Sequence, residues 1–124
     1  MYELRKKFHF DSAHTLEREV ERAGSRRVHG HSYTAEIAIA GKPDPKSGMI
    51  VDLALIESRL AALRAELDHH FLNDVPGLGP PTIENLAAWI WRRLASDYAG
   101  LTRVTVYRES GGDSCSYGGP AAKA

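Results

Sequence analysis

The chain of 124 residues fits one domain, expected over residues 1–124 with a frayed tail from about 120, and its sixteen basic and sixteen acidic side chains cancel. This balance excludes the broad basic field that attracts nucleic acid or an anionic membrane, and the single cysteine, Cys115, excludes an internal disulfide. No apolar stretch approaches the roughly 20 residues of a membrane span and charges interrupt the opening "MYELRKKFHF", so we expect a cytoplasmic protein without membrane or nucleic-acid partners.

Two strands are predicted at the start of the chain, because apolar and polar residues alternate there with the period of a half-buried strand. The first strand covers residues 2–10, and the second follows "SYTAEIAIAG", where residues 33–39 alternate and Gly41 ends the pattern. We interpret the two as an antiparallel pair. A long charged loop, residues 15–28, joins the two strands, and functional insertions tend to occur in loops of this kind.

Two helices are predicted in the middle of the chain. In "VDLALIESRLAALRAELDHH" the large apolar residues are three and four apart, and Asp52 is the expected N-cap. The apolar positions of this helix are Leu53, Ile56, Leu60, Leu63 and Leu67. After a turn-rich connection, "PTIENLAAWIWRRL" begins a second helix with Thr82 as N-cap and an acid in its first turn. Its apolar stripe consists of Leu86, Ile90 and Leu94.

The last elements complete an α+β fold. "TRVTVYRE" alternates as a third strand and "DSCSYGG" is a shorter fourth one, which gives the order ββααββ. We therefore expect an antiparallel four-stranded sheet with two helices on one face. The edges of such a sheet need covering, and pairing with other subunits is the simplest way, so we expect a homo-oligomer.

Three histidines form the strongest chemical pattern. His29 and His31 are two apart on a strand and therefore project from the same face, with Gly30 between them leaving room for close approach. His14 ends the first strand, which the antiparallel pairing places beside the start of the second. An isolated pair of this kind would favour ordinary surface histidines. Three neutral imidazoles with an open fourth position are instead typical of catalytic zinc, whereas structural zinc usually takes four ligands rich in cysteine.

An acid and a histidine end the first helix in "ELDHH". Asp68 could orient the imidazole of His69 and hold it in one tautomer, as a general acid or base requires. The alternative is a histidine that complements the negative end of the helix dipole, and the local sequence alone slightly favours this alternative.

A carboxylate follows the third strand. Glu109 comes after "VTVYR", in phase with Thr105 and Tyr107. A carboxylate in this position could accept two hydrogen bonds from a planar amidine-like group such as the N–H edge of a pterin. An exposed acid at a strand end is the commoner case.

Six motifs together resemble the 6-pyruvoyl-tetrahydropterin synthase family over essentially the whole chain. They are "FDSAH", "RRVHGHSY", "GMIVDL", "LDHHFLND", "PTIENLAAWIW" and "YRES", in the order and at the spacing of the family. The resemblance implies a tunnelling fold (T-fold), in which trimers close a barrel from their sheets and two trimers stack into a hexamer. It is greatest to the bacterial branch, which converts 7,8-dihydroneopterin triphosphate to 6-carboxy-tetrahydropterin in queuosine biosynthesis.

The resemblance also implies roles for individual residues. The zinc (Zn2+) ligands of the family fall on His14, His29 and His31. The proton-transfer group falls on Asp68 and His69, the pterin-anchoring glutamate on Glu109, and a threonine at the pterin edge on Thr82. No redox cofactor is implied.

Ser25 departs from the family, because members of this branch carry a catalytic cysteine four residues before the first histidine of "HGH". A thiol near a metal can ionise at neutral pH, whereas an unassisted serine hydroxyl is far too weak an acid. Three explanations compete: an engineered cysteine-to-serine variant, a paralogue that cleaves the dihydroneopterin side chain, and a pterin-binding homologue without catalysis. In the paralogue a loop acid would be the base, with Glu17, Glu19 and Glu21 as candidates. Conventional carboxy-pterin synthesis by other residues stays open beside it. Queuosine, folate and specialised pterin pathways all stay open.

Overall fold

The computed structural model describes residues 1–121, so the end of the predicted tail, residues 122–124, lies outside the described part. Seven helices and strands follow one another: β1 (Tyr2–His14), α1 (Arg22–Arg26), β2 (His29–Gly41), α2 (Leu53–Leu67), α3 (Ile83–Leu94), β3 (Leu101–Arg108) and β4 (Asp113–Tyr117). Short 3-10 turns lie at Leu72–Asp74 and Glu109–Gly111. All strand pairs are antiparallel in the order β1-β2-β3-β4, which confirms the predicted α+β fold with a four-stranded sheet.

Two elements differ from the prediction. β1 continues past Phe10 to His14, because its last residues pair with the start of β2 in an unbroken ladder. The predicted loop between these strands contains the helix α1, in which the Ser25 N–H donates to the carbonyl of Glu21 at 2.9 Å. A helix of five residues is too short to show an apolar period, and for this reason the sequence pattern missed it.

The core lies between one face of the sheet and the helices α2 and α3. The side chain of Asp52 accepts a hydrogen bond from the Ala54 N–H and that of Thr82 accepts one from the Asn85 N–H, which confirms both predicted N-caps. The predicted apolar positions of both helices are buried except Leu53, which is 51% exposed in the first turn of α2. The sheet contributes these buried residues: Phe8, Phe10, Tyr33, Ala35, Ile37, Ile39, Val104 and Val106. None of the helices within residues 1–121 is long and apolar enough to cross a membrane.

The apolar face of the sheet becomes polar at one end, and this end is the candidate site. Phe10 and Tyr33 face each other across β1 and β2 and stack with ring centroids 5.0 Å apart. Beyond this pair the same face continues with Ser12 opposite His31 and then His14 opposite His29. The histidines therefore stand on two hydrogen-bonded strands, directly next to the rigid core.

The connection between α2 and α3 runs beside the end of β1 and brings a second polar group to this end. The His69 N–H donates to the carbonyl of Asp11 at 2.7 Å, and the Ala13 N–H donates to the carbonyl of His70 at 3.1 Å. The side chain of Asn73 then accepts from the Thr15 N–H at 2.9 Å. These bonds fix the predicted proton-transfer segment against the strand that carries His14.

Candidate metal centre and active site

The three predicted histidines lie together. One ring nitrogen from each of His14, His29 and His31 lies within 4.8 Å of the other two, and the ring centroids are 4.5 to 5.0 Å apart. His14 is buried, and the other two rings are partly exposed. The three histidines could hold a metal ion.

Hydrogen bonds fix the orientation of two of these rings. His14 Nδ1 lies 3.0 Å from the carbonyl oxygen of Pro81, and His29 Nδ1 lies 2.8 Å from that of Arg27. A carbonyl can only accept, so each Nδ1 carries the proton and each Nε2 presents a lone pair. Backbone carbonyls that accept from the outer nitrogen are the usual outer partners of metal-bound histidines.

The inner nitrogen atoms lack a partner that matches their lone pairs. His14 Nε2 and His29 Nε2 are 2.9 Å apart, and His31 Nε2 is buried without a hydrogen-bond partner among the described residues. Two lone pairs at this distance repel each other unless a proton or a cation lies between them. Zinc binds histidine nitrogen at 2.0–2.1 Å, which places two tetrahedral ligands about 3.3 Å apart, so the residues fit this ion.

Burial keeps His14 and His31 neutral. Loss of solvent is the main reason why the pKa of His31 is lowered to about 4, and the charges of His14 and Arg108 add to the effect. The pKa of His14 is also lowered, again chiefly by burial. Metal ions bind the neutral form of imidazole, so both side chains are in the binding form at neutral pH.

Asp68 and His69 form the predicted acid–histidine pair. Asp68 ends α2, and its Oδ2 lies 2.9 Å from His69 Nδ1. Its Oδ1 accepts from the Asp11 N–H at 2.9 Å, and Arg64 Nη2 lies 3.1 Å from Oδ2. The Asp11 N–H first, and then the hydrogen bond from His69, lower the pKa of the Asp68 carboxyl. The ring of His69 therefore contacts the carboxylate, which favours the orienting role over the helix-dipole alternative.

His69 lines a cleft of about 480 Å³ at this end of the sheet, together with residues of β1 and β2. Of the three clustered histidines only His31 lines this cleft, and its strand lining otherwise includes Asp11, Ala13, Gly30 and Ser32, which alternate with the cluster residues along β1 and β2. The side chain of His69 is 78% exposed, and the residue has a left-handed backbone conformation with φ 57°. His69 is therefore exposed in a cleft next to the strand ends that carry the candidate ligands.

Ser25 lies on another side of the cluster, in a pocket of about 420 Å³ that His29 and His31 also line. The residue is 6% exposed, and its hydroxyl donates to the carbonyl of Arg22 at 2.9 Å. Of the three candidate loop acids, only Glu21 lines this pocket. The others form ion pairs on the surface, Glu17 with Arg26 at 2.9 Å and Glu19 with Arg22 at 3.8 Å.

The two predicted pterin-binding residues are placed differently. Thr82 lines a third pocket of about 370 Å³ together with His14 and Tyr33. Glu109 is exposed at the start of a 3-10 turn and lines none of the three pockets around the histidines. β3 ends at Arg108, so the predicted strand phase with Thr105 and Tyr107 does not extend to Glu109.

Sequence reasoning missed Arg108, which lines both the Ser25 pocket and the Thr82 pocket. It is in phase with the buried residues Val104 and Val106 on β3, and an arginine in phase with core positions was a usable signal. Tyr33 was predicted only as one of the alternating apolar residues of the second strand. Burial raises its pKa to about 12, so its hydroxyl stays protonated beside His14.

Fold and site together define an α+β protein with a three-histidine centre at one end of an antiparallel sheet. The family model for 6-pyruvoyl tetrahydropterin synthase matches residues 3–120. The chain therefore belongs to the 6-pyruvoyl tetrahydropterin synthase family, as the six motifs predicted.

Relatives within this family carry names of different reactions. The 6-carboxy-5,6,7,8-tetrahydropterin synthase of Synechocystis sp. is 35% identical over 112 residues, which cover 86% of this chain and 85% of that protein. The dihydroneopterin monophosphate aldolase of Pyrococcus furiosus is 31% identical over 95 residues, which cover 77% and 76% of the two chains. The solved 6-pyruvoyl tetrahydropterin synthase of Caenorhabditis elegans shares the fold, with a TM-score of 0.82, 24% identity and 96% of each chain covered.

Proposed function

We propose that this protein is a zinc-dependent pterin lyase that converts 7,8-dihydroneopterin triphosphate to 6-carboxy-tetrahydropterin, with Ser25 in place of the usual catalytic cysteine. The observation that carries the proposal is the convergence of three imidazole nitrogens at the end of the sheet to which the segment with Asp68 and His69 is also bonded. The similarity to the Synechocystis enzyme over most of both chains supports the choice of reaction.

The chemistry divides between the histidine cluster and the acid–histidine pair. A bound zinc ion would lower the pKa of substrate hydroxyls and polarise a carbonyl. His14, His29 and His31 would hold it as neutral ligands. Asp68 accepts from His69 Nδ1, which leaves His69 Nε2 able to take a proton from the substrate side chain and return it.

A second candidate function follows from Glu21. Glu21 lines the same pocket as Ser25 and His29. The Ser25 hydroxyl already donates to a backbone carbonyl. A carboxylate is a far better base than a serine hydroxyl at neutral pH. With Glu21 as base, the protein would cleave the side chain of a dihydroneopterin, and the similarity to the Pyrococcus aldolase supports this alternative.

For pterin anchoring by Glu109 we propose a site that is shared between subunits. Glu109 is exposed outside the pockets that surround the histidines of its own chain, so it would contact a pterin bound at a site completed by another copy. Strands β1 and β4 are the edges of the sheet and could pair with neighbouring chains. We therefore propose a homohexamer with sites between subunits. Light scattering should give about six times the chain mass of 13.7 kDa, and a stable single-chain mass would contradict this assembly.

Product analysis separates the candidate functions. The zinc-loaded protein is incubated with dihydroneopterin triphosphate, dihydroneopterin monophosphate and dihydroneopterin, and the pterins are identified by mass. Formation of 6-carboxy-tetrahydropterin supports the main proposal, whereas a 6-hydroxymethyl pterin with a two-carbon aldehyde supports the aldolase. Tight binding without any product would leave a pterin-binding homologue. The His29→Ala variant serves as the control, because it removes one of the three proposed ligands.

A further inference from the structure

Two arginines lie beside the histidine cluster and have no role in the reaction described above. Arg18, in the loop after β1, and Arg108, at the end of β3, both line the pocket that contains Ser25. Both also line the neighbouring pocket that contains Thr82. Among the described residues that line these two pockets, they are the only arginines or lysines. The positive side-chain charge next to the cluster therefore comes from this pair.

The two guanidinium groups differ in the ion pairs and hydrogen bonds that they already form. Arg108 forms an ion pair with Asp113, the residue opposite it on β4, and its side chain is 29% exposed. Arg18 is exposed and has no hydrogen bond or ion pair with the rest of residues 1–121. The acids next to Arg18 in the chain, Glu17 and Glu19, are paired with other arginines. The donors of Arg18 are therefore free for a ligand.

The charge balance favours the Ser25 pocket as the place where an anion would bind. Arg18 and Arg108 face a single carboxylate there, that of Glu21. In the Thr82 pocket the same two arginines face two carboxylates, those of Glu84 and Asp113. Asp113 pairs with Arg108 but lines only the Thr82 pocket, so the wall of the Ser25 pocket holds both guanidinium groups and one carboxylate, and a bound zinc ion would add positive charge there.

Small residues give the Ser25 pocket the space that such a ligand needs. Gly24, Ser25, Ser110 and Gly111 line it beside the two arginines. A β-carbon on Gly111 would lie 2.9 Å from Arg108 Nη2, so the glycine leaves room for that guanidinium group. Arginine forks and serine hydroxyls are donors that suit the oxygens of phosphate.

We propose that Arg18 and Arg108 form an anion subsite in the Ser25 pocket that binds the phosphate of a phosphorylated pterin side chain. The phosphate of dihydroneopterin phosphates follows the side-chain hydroxyls by one carbon. A substrate whose hydroxyls reach the histidines must therefore place its phosphate close to them, and the two arginines line that space. The inference rests on the proposed function for the identity of the substrate, and it makes these arginines the residues that select phosphorylated over unphosphorylated pterins.

Binding measurements on the zinc-loaded protein test the subsite without relying on turnover. The Kd values of dihydroneopterin triphosphate and dihydroneopterin are measured by pterin fluorescence for the wild type, for Arg18→Gln and for Arg108→Lys. Arg18→Gln should raise the Kd of the triphosphate about tenfold or more and leave the Kd of dihydroneopterin unchanged, because a hydrogen bond between charged groups is lost. Arg108→Lys keeps a charge for Asp113 but loses the fork, so the triphosphate should again bind more weakly.

The control is Arg5→Gln, which changes an exposed arginine near the opposite end of β1 that lines neither pocket and should leave both Kd values unchanged. Three results would overturn the subsite: equal losses for both pterins in Arg18→Gln, no loss in either arginine variant, or a wild type that binds both pterins equally well. Higher salt should weaken binding of the triphosphate more than that of dihydroneopterin. Absence of product with this selectivity intact would count against the proposed reaction alone, whereas product formation with unchanged Kd ratios would count against the subsite alone.

Discussion

Replacing Ser25 by cysteine tests what limits the proposed reaction. The side chain is 6% exposed and lines the pocket that His29 and His31 share, so a thiol would lie close to the reacting groups. Arg108 lines the same pocket, and a nearby positive charge favours the thiolate. We expect Ser25→Cys to raise the conversion of dihydroneopterin triphosphate to 6-carboxy-tetrahydropterin.

The size of the effect follows from one gain and one loss. The gain is a general base, which is typically worth about 10²–10⁴-fold in rate. The loss is the hydrogen bond from the Ser25 hydroxyl to the Arg22 carbonyl, at 2.9 Å, which contributes about 1 kcal/mol and which a thiol replaces poorly. Because that bond lies within the short helix α1, the loss is local, and the rate gain should exceed it clearly.

The assay compares turnover numbers by product analysis in a Cys115→Ser background, so that the introduced thiol is the only one. Burial raises the pKa of the native Cys115 thiol, so little of it is thiolate at neutral pH. Replacing it by serine should therefore remove little thiol reactivity. Alkylation rates across pH then report the pKa of the new thiol. If Ser25→Cys leaves turnover unchanged while Glu21→Gln abolishes it, the reasoning about the thiol is refuted and the loop carboxylate is the base.

Three further predictions concern the metal, the acid–histidine pair and the core. His29→Ala should lose bound zinc in metal analysis, whereas His9→Ala, which changes a histidine bonded to Thr34 outside the cluster, should retain it. The pKa of the Asp68 carboxyl is lowered in the folded state, so its carboxylate stabilises the protein at pH values above the unfolded pKa of 3.8. This contribution is lost as the pH falls through the folded-state pKa. The loss of stability that Asp68→Asn causes in urea unfolding should therefore be smaller in acid than at neutral pH. Leu63→Ala removes a fully buried side chain and should cost about 2–5 kcal/mol of unfolding free energy.

Each of these three predictions has a result that would contradict it. Full zinc occupancy in His29→Ala would mean that the metal binds elsewhere, and a pH-independent deficit in Asp68→Asn would mean that its charge has no part in stability. For the core, the exposed Leu55 offers a matched control, because Leu55→Ala should change stability by no more than about 0.5 kcal/mol. Equal losses at Leu63 and Leu55 would contradict the assigned packing.

The three-histidine cluster could be predicted from the sequence because it depends on regular structure. Two histidines two apart on a strand share a face, and His14 stands opposite His29 through an unbroken antiparallel ladder. The same alternation predicted the buried face of β2, and the spacing of leucines predicted the stripes of α2 and α3. Strand and helix periods translate directly into side-chain direction, so residues on these elements are placed well by pattern alone.

Residues on short or irregular segments could not be placed in this way. The helix α1 has too few residues for a period, so the sequence left three acids open where the structure brings only Glu21 to the pocket. Glu109 was given a strand direction, but the chain enters a 3-10 turn at that residue. The contact between Asp68 and Asp11 joins residues 57 apart in the chain, and local sequence carries no sign of it.

The division between strands and loop also explains how one family can contain different reactions. The candidate metal ligands stand on β1 and β2 next to the packed core, and the acid–histidine pair is tied to β1 by backbone hydrogen bonds. Ser25 and Glu21, in contrast, lie on the segment between these strands, where a substitution disturbs little of the core. A change of base on this segment can therefore alter which bond of the substrate is broken while metal and pterin binding persist. We therefore expect substitutions at Ser25 to change the reaction more than the fold, and Glu21 is the first residue to test with it.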